Sequence, residues 1–293
     1  MGRLEVKHLT KKYDNTIAVS DMSFVLETGV YGLLGPNGAG KSTLMKMLTL
    51  QLFPSSGKIL WEGNDVSQIK EDYLGKIGYM PQQQILYPTY SVEEFVYYMA
   101  MLHGMDYRDA SISLEYLLKK VGLKEKRKEK IRNLSGGMKQ RLLLVQALIH
   151  HPDIIILDEP TAGLDPQQRI AVRNLIVEFA SQSIILLATH VVQDIELISK
   201  ETLLMKEGSL IAMGTHRDLC ENLKNKVFEF SISKKELTQY LDEYLISTVK
   251  EDIDGKYLVR VITEEKPRNI ICKEVAASLE DVFLYYFGRE SVW

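Results

Sequence analysis

Hydrophobic and polar residues alternate through residues 1–33, with turn residues at Asp14-Asn15 and Thr28-Gly29. This alternation predicts antiparallel strands that each bury one face. At 154–158 and 184–189 the pattern changes to runs made almost wholly of apolar residues. Such runs are typical of parallel strands covered on both faces, and they predict an α/β fold with a mainly parallel sheet.

Helical spacing dominates between residues 91 and 150, and no convincing strand interrupts it. This region is therefore predicted to be a helical subdomain, with helices at 92–103, 112–121 and 138–150. Shorter apolar segments on either side predict further strands at 58–61, 76–80, 202–206 and 209–212.

The character of the sequence changes near residue 222, where charged residues cluster around short apolar segments. Two strands, 227–232 and 257–262, and an aromatic helix at 279–287 are predicted there. We therefore divide the 293 residues into a main domain, 1–221, and a small α+β accessory domain, 222–293. Two unequal domains agree with a usual domain size of about 150 residues.

Composition and charge disfavour several classes of protein. The chain has 36 Lys and Arg against 39 Asp and Glu, a net charge of −3, which argues against nucleic-acid binding through a basic field. Its two cysteines, Cys220 and Cys272, match no metal-ligand spacing. The first residues lack the apolar core of a signal peptide, and the longest aliphatic runs are too short to span a membrane. We expect a cytoplasmic chain, unless a partner holds it at a membrane.

A glycine-rich loop follows the apolar stretch 30–34 and matches the pattern G-x-x-x-x-G-K-S/T. Its glycines let successive backbone N–H groups converge on a phosphate at the positive end of a helix dipole. Lys41 is expected to reach the β- and γ-phosphates, Ser42 to ligate Mg²⁺, and Thr43 to contact the α-phosphate. The predicted phosphate loop comprises Gly35, Pro36, Asn37, Gly38, Ala39, Gly40, Lys41, Ser42 and Thr43.

Two acidic residues, Asp158 and Glu159, end the apolar run 154–158. Alone, such a pair could be a solvated strand end with a helix cap. Beside a phosphate loop, Asp158 is placed to hold Mg²⁺ through water, and Glu159 to polarise a water molecule for attack on the γ-phosphate.

A second anion site is predicted at 134–141, which reads Leu-Ser-Gly-Gly-Met-Lys-Gln-Arg. Ser135 can cap a helix, whereas Gly136 and Gly137 weaken its first turn by about 1 kcal/mol each. A bare helix N-terminus lets an anion approach the backbone N–H groups closely. The chain therefore carries two anion sites about 100 residues apart.

The order of these motifs, with Asp-Glu-Pro and a late Thr-His after them, resembles the ATP-binding subunit of an ATP-binding cassette (ABC) transporter. The resemblance covers about residues 1–216. It implies ATP and Mg²⁺ as cofactors, ATP hydrolysis, and a head-to-tail dimer with a second ATP-binding subunit, a homodimer being expected. Each ATP would then lie between the phosphate loop of one chain and the partner chain's Ser135, Gly136 and Gly137.

Further site residues are implied by the same resemblance. Tyr13 matches the aromatic residue that stacks on adenine, and Gln82 matches the glutamine that contacts Mg²⁺ and water. His190 matches the switch histidine at the γ-phosphate, and Asp165 lies in a loop that links the two sites across the dimer. Glu159 is the expected base, with Lys41 and His190 stabilising the transferring charge. The remaining histidines are expected to be solvated: His8, His103, His150, His151 and His216.

The form of the signature resembles that of ABC-2-type exporters, although Met138 stands where many family members have Gln. The segment 278–284 resembles an ending typical of the same subunits. The family also implies integral membrane permease subunits as partners, and hence a peripheral location on the cytoplasmic face of the cell membrane. We expect the contact at residues 86–98, with core packing accounting for about half of five aromatic side chains: Tyr87, Tyr90, Phe95, Tyr97 and Tyr98.

Three alternatives remain at this point. A soluble ABC ATPase acting on nucleic acid or ribosomes would be expected to carry an inserted coiled coil or two cassettes, and this sequence has neither. A regulatory module that binds but no longer hydrolyses ATP is disfavoured because Glu159 and His190 are present. An importer subunit is the third alternative.

Overall fold

The computed structural model describes residues 2–82, 86–252, 254–268 and 270–288. A six-stranded sheet with the order β10-β9-β3-β8-β7-β6 forms the centre of the main domain. All neighbouring strands in it are parallel except β10, which pairs antiparallel with β9. Its strands are β3 (Gly29–Leu34), β6 (Ile77–Met80), β7 (Ile154–Asp158), β8 (Ile184–Ala188), β9 (Glu201–Lys206) and β10 (Ser209–Gly214).

A separate antiparallel sheet lies at the start of the chain, with the order β2-β1-β4-β5. The prediction of antiparallel strands throughout 1–33 is wrong for β3, which pairs in parallel with β8 and β9. Unlike the alternating β1, β3 buries nearly every residue, as a strand covered on both faces must. The antiparallel strands are β1 (Arg3–Tyr13), β2 (Thr16–Glu27), β4 (Ser56–Trp61) and β5 (Asn64–Asp65).

Capping residues determine where the helices of the helical subdomain begin. Ser91 forms a capping box with Glu94, and Asp106 accepts a hydrogen bond from the Asp109 N–H, so the second helix starts five residues earlier than predicted. Ser135 likewise starts the third helix at Gly136. The helices of the main domain are α1 (Lys41–Leu48), α2 (Lys70–Leu74), α3 (Val92–Leu102), α4 (Tyr107–Lys120), α5 (Gly136–Leu148), α6 (Pro166–Phe179), α7 (Val192–Ile198) and α8 (His216–Glu221).

Two apolar clusters cover the two faces of the central sheet. One combines α3, α4, α5 and α6 with alternate residues of β7 and β8, and the other joins the remaining residues of those strands to α1 and the antiparallel sheet. Every residue of β7 and β8 is therefore buried. No helix in the described part of the chain is long and apolar enough to cross a membrane.

The C-terminal region forms its own four-stranded sheet, with the order β12-β13-β11-β14. Its last helix packs on both regions, because Leu279, Val282 and Phe287 belong to the apolar cluster of the main domain, which also includes Val227 and Ile262 of the C-terminal sheet. The boundary at residue 222 stays a prediction. The elements are β11 (Val227–Ile232), α9 (Leu237–Glu243), β12 (Leu245–Glu251), β13 (Tyr257–Ile262), β14 (Lys273–Glu274) and α10 (Leu279–Phe287).

The expectation that five histidines are solvated is wrong for His103 and His150. Their rings stack at 3.6 Å between centroids and 5° between planes, where the ends of α3 and α5 meet. His150 Nε2 lies 3.1 Å from the Ile77 carbonyl oxygen. Burial, with a smaller contribution from nearby His103, lowers the pKa of His150 to about 4.

This pKa predicts a loss of stability in acid. Between about pH 6.5, the ordinary histidine pKa, and pH 4, the unfolded chain binds a proton that folded His150 does not. The free energy of unfolding therefore falls as the pH drops, by up to about 1.4 kcal/mol per pH unit. Urea unfolding of His150→Asn across this window should show a shallower decline than the unaltered protein. Exposed His8→Asn is the control, and equal slopes for His150→Asn and the unaltered protein would contradict the assignment.

Candidate functional site

The loop after β3 has the backbone of an anion cradle. Gly40 has a φ of 98°, and a Cβ atom there would lie 2.2 Å from the Ala18 carbonyl oxygen. A Cβ atom on Gly35 would lie 2.2 Å from the Met205 carbonyl oxygen. Around a Cβ at Gly38, by contrast, no described atom lies within 4 Å. Glycine is thus required at positions 35 and 40, where the loop packs closely against neighbouring backbone. At Gly38 the loop faces open space.

The N-terminus of helix α1 adjoins this loop, and no acidic side chain of its first turn neutralises the positive end of the helix dipole. No described side chain caps this helix. The Lys41 ammonium folds over the loop and donates to the carbonyl oxygens of Gly35 at 2.6 Å and Pro36 at 2.9 Å. Burial lowers the pKa of Lys41, while Glu159 and Asp158 oppose that shift. The loop therefore offers N–H groups, a helix dipole and a cation to a phosphate.

Asp158, the last residue of β7, is a buried carboxylate whose negative charge is only partly balanced by nearby positive charge. Burial, followed by the neighbouring charge of Glu159, raises its pKa to about 6, and Lys41 only partly offsets this. A cation beside Asp158 would relieve the cost of its charge. With the Ser42 hydroxyl at the start of α1, the site supplies the oxygen ligands that Mg²⁺ prefers. The residues present therefore fit Mg²⁺.

Glu159 is held by the end of β8. The Thr189 hydroxyl donates to Glu159 Oε2 at 3.0 Å, and the His190 backbone N–H donates to Oε1 at 2.9 Å. His190 Nδ1 lies 2.9 Å from the same Oε1. The His190 side chain is 73% exposed, whereas that of Glu159 is 12% exposed. Glu159 is thus fixed at the sheet edge, and His190 faces outward beside it.

The serine-glycine segment forms an open helix N-terminus. Ser135 Oγ accepts from the Met138 N–H at 3.3 Å, and the first turn of α5 has no acidic residue. Ser135 and Gly136 are exposed, and no described atom lies within 4 Å of a Cβ placed on Gly136. Asp165 is the exposed N-cap of α6 and accepts from the Gln168 N–H at 2.8 Å. The structure therefore has a second exposed helix N-terminus without an acidic residue in its first turn.

Tyr13 and Gln82 lie on elements that border the phosphate loop and the acidic pair. Tyr13, 45% exposed, ends β1 and pairs with Thr16 of β2, the strand whose Ala18 abuts Gly40. Gln82 is exposed and follows β6, which runs parallel to β7. The neighbouring glutamines, Gln83 and Gln84, lie outside the described residues.

Two contacts of Glu159 were missed by the sequence analysis. Thr189 binds its carboxylate, and the only signal was a hydroxyl residue directly before His190. Gln140 donates from Nε2 to the Glu159 backbone carbonyl oxygen at 2.7 Å. Its position two residues after Met138 gave no indication of this partner.

Comparisons with known proteins identify the family. The family model described as ABC transporter matches residues 19–162. The Nod factor export ATP-binding protein I of Burkholderia thailandensis is 35% identical over 98% of this chain and 97% of its own. The linearmycin resistance ATP-binding protein LnrL of Bacillus subtilis is 35% identical over 75% of this chain and 71% of its own.

Solved structures show the same relationship. A structure of the ATP-binding subunit of an ABC transporter superposes with a TM-score of 0.70 at 30% identity, covering 75% of this chain and 92% of that one. An ATP-binding cassette dimer bound to ADP and Pi, MJ0796, has a TM-score of 0.66 at 22% identity over 72% of this chain and 98% of that one, a likeness of fold. The chain belongs to the ABC transporter family, as an ATP-binding subunit and an ATPase.

Proposed function

We propose that this ATPase hydrolyses Mg²⁺-bound ATP in a head-to-tail dimer and so drives an exporter whose membrane-spanning subunits are separate chains. The observation that carries the proposal is the position of Glu159, a buried carboxylate at the sheet edge whose charge acts on the phosphate-loop Lys41. An acid in this place can orient a water molecule toward the γ-phosphate.

Each polar side chain at this edge has a proposed role. Glu159 acts as the base or water-orienting group, and Lys41 and His190 stabilise the charge on the transferring phosphoryl group. Ser42, Asp158 and Gln82 hold Mg²⁺, which when bound neutralises charge on the phosphate oxygens. Since Asp158 has a raised pKa, its charge is better compensated when the metal is present.

The two anion sites support a dimer. A Cβ atom placed on Gly38 of the phosphate loop or on Gly136 of α5 would meet no described atom within 4 Å, so both segments are open to a ligand. A two-fold axis brings one chain's loop opposite the partner's α5, so that two ATP molecules are enclosed. Tyr13 stacks on adenine in this arrangement, and the loop of Asp165 lies at the dimer contact.

Export is supported by two relatives, which are named for Nod factor export and for linearmycin resistance. A contact surface for membrane subunits is supported by three exposed tyrosines after Gln82. Tyr87 stacks on Tyr90 at 5.2 Å between centroids, and Tyr98 meets both rings edge-on at 5.7 and 6.0 Å. We name these three residues the tyrosine patch. It would place the chain on the cytoplasmic face of the membrane.

Core packing accounts for the other two aromatic residues of 86–98. Phe95 is fully buried, and the partly buried Tyr97 packs against the apolar cluster that contains Phe95. The tyrosine patch is thus the part of this segment that remains available to a partner.

Glu159→Gln should slow steady-state ATP hydrolysis about 10²–10⁴-fold, the usual contribution of a general base, and should trap an ATP-bound dimer. Phosphate release and size-exclusion chromatography in MgATP measure the two effects. Exposed Glu71→Gln is the matched control and should behave like the unaltered protein. Normal hydrolysis by Glu159→Gln would show that the base is assigned wrongly.

Replacing Tyr87, Tyr90 and Tyr98 together with Ser should abolish capture of a membrane partner while leaving ATP hydrolysis intact, because the rings contact one another at the surface. The assay is a gentle-detergent pull-down from native membranes followed by mass spectrometry. Exposed Val177→Ser on α6 is the control. The contact surface is assigned wrongly if the triple variant still captures the membrane-spanning partner. Recovery of the unaltered chain with ribosomal or DNA-bound proteins instead would overturn the transporter role.

A further inference from the structure

Helix α5 contacts the segment after β7 of its own chain at two points. At the first, Gln140 donates from Nε2 to the Glu159 carbonyl oxygen at 2.7 Å. At the second, a Cβ atom on Gly137 would lie 3.2 Å from Gln168 Oε1 and 3.3 Å from Leu164 Cδ2. The helix that begins at the exposed Ser135 is therefore in close packing contact with the segment that contains Glu159.

The Glu159 backbone is in an unusual conformation. Its φ is 53°, in the left-handed region that residues other than glycine rarely adopt. Such a conformation persists only where the surrounding structure fixes it. The carbonyl oxygen of Glu159 accepts from Gln140 Nε2 and from the Ala162 N–H at 3.2 Å. Of these two donors, Ala162 lies in the same loop as Glu159, whereas Gln140 belongs to helix α5. Gln140 thus fixes the Glu159 carbonyl group from another element.

We propose that Gln140 is a positioning residue that transmits the position of the α5 N-terminus to Glu159 of the same chain. This inference rests on the proposed function, in which the α5 N-terminus contacts the ATP held by the partner subunit. A shift of α5 moves Gln140, and Gln140 moves the Glu159 carbonyl. ATP bound at one site then sets the geometry of the base at the other.

Two variants remove the donor while keeping the length of the side chain. Gln140→Met keeps an unbranched chain without an N–H group, and Gln140→Glu keeps the shape but places an acceptor at the carbonyl. Both should lower kcat about tenfold, the effect of one hydrogen bond, with KM for ATP and the Kd for nucleotide unchanged within about twofold. The Hill coefficient for ATP should fall toward one. Gln182→Met, at an exposed turn before β8, is the matched control.

A double-mutant cycle separates positioning from a purely structural role. If Gln140 acts through Glu159, adding Gln140→Met to Glu159→Gln should not slow single-turnover hydrolysis further. An additional loss in that background, or a loss in Gln140→Met that is matched by weaker nucleotide binding and a lower Tm, would assign Gln140 to folding alone.

The two proposals fail in different ways. If Glu159→Gln slows hydrolysis as proposed, a kcat or a Hill coefficient of Gln140→Met equal to that of the unaltered protein overturns the inference. Normal hydrolysis by Glu159→Gln overturns the assignment of the base itself.

Discussion

Parallel pairing of β3, β8 and β7 in one register is the constraint on which the site depends. Ala188 lies opposite both Leu33 and Asp158, so the three strands reach their carboxyl ends at the same level. The phosphate loop, the acidic pair and the Thr189-His190 segment therefore emerge side by side, although they are far apart in the chain. Burial on both faces keeps this register, because β7 and β8 have no polar residue within the sheet except Asp158 at its edge.

Burial destabilises the charged forms of two groups at this edge of the sheet. Burial lowers the pKa of Lys41 and raises that of Asp158, so each group is less stable in its charged form than in water. In the proposed complex, a phosphate would place negative charge beside Lys41 and Mg²⁺ would place positive charge beside Asp158, so binding would offset the cost of burying these two groups. Glu159, meanwhile, has both carboxylate oxygens bound by Thr189 and His190. The site combines strain and unbalanced charge in the way expected of a functional site.

Local signals in the sequence are sufficient to predict the glycine-rich loop before α1, the buried strands and the serine cap of α5. They could also have placed the start of α4, since Asp106 is an N-cap residue that the helical spacing alone did not reveal. Other features depend on how distant elements cross. The stacking of His103 on His150 requires the ends of α3 and α5 to meet, and the bond from Gln140 to Glu159 requires α5 to pass the end of β7. No periodicity encodes such crossings, because they result from packing of the whole domain.

The last helix shows why a change in amino-acid composition does not by itself define an independently packed domain. Helix α10 starts at a capping box of Ser278 and Asp281, and the buried Asp281 carboxylate also accepts from Arg260 of β13 at 2.6 Å. The apolar face of α10, however, packs on α7 and α8 of the main domain. Helix α7 follows His190, and its buried Asp194 accepts from the Thr161 hydroxyl at 2.6 Å and from Arg173 at 3.2 Å. Helix α10 therefore links the accessory sheet to α7, and the Asp194 contact links α7 in turn to Thr161, two residues after Glu159.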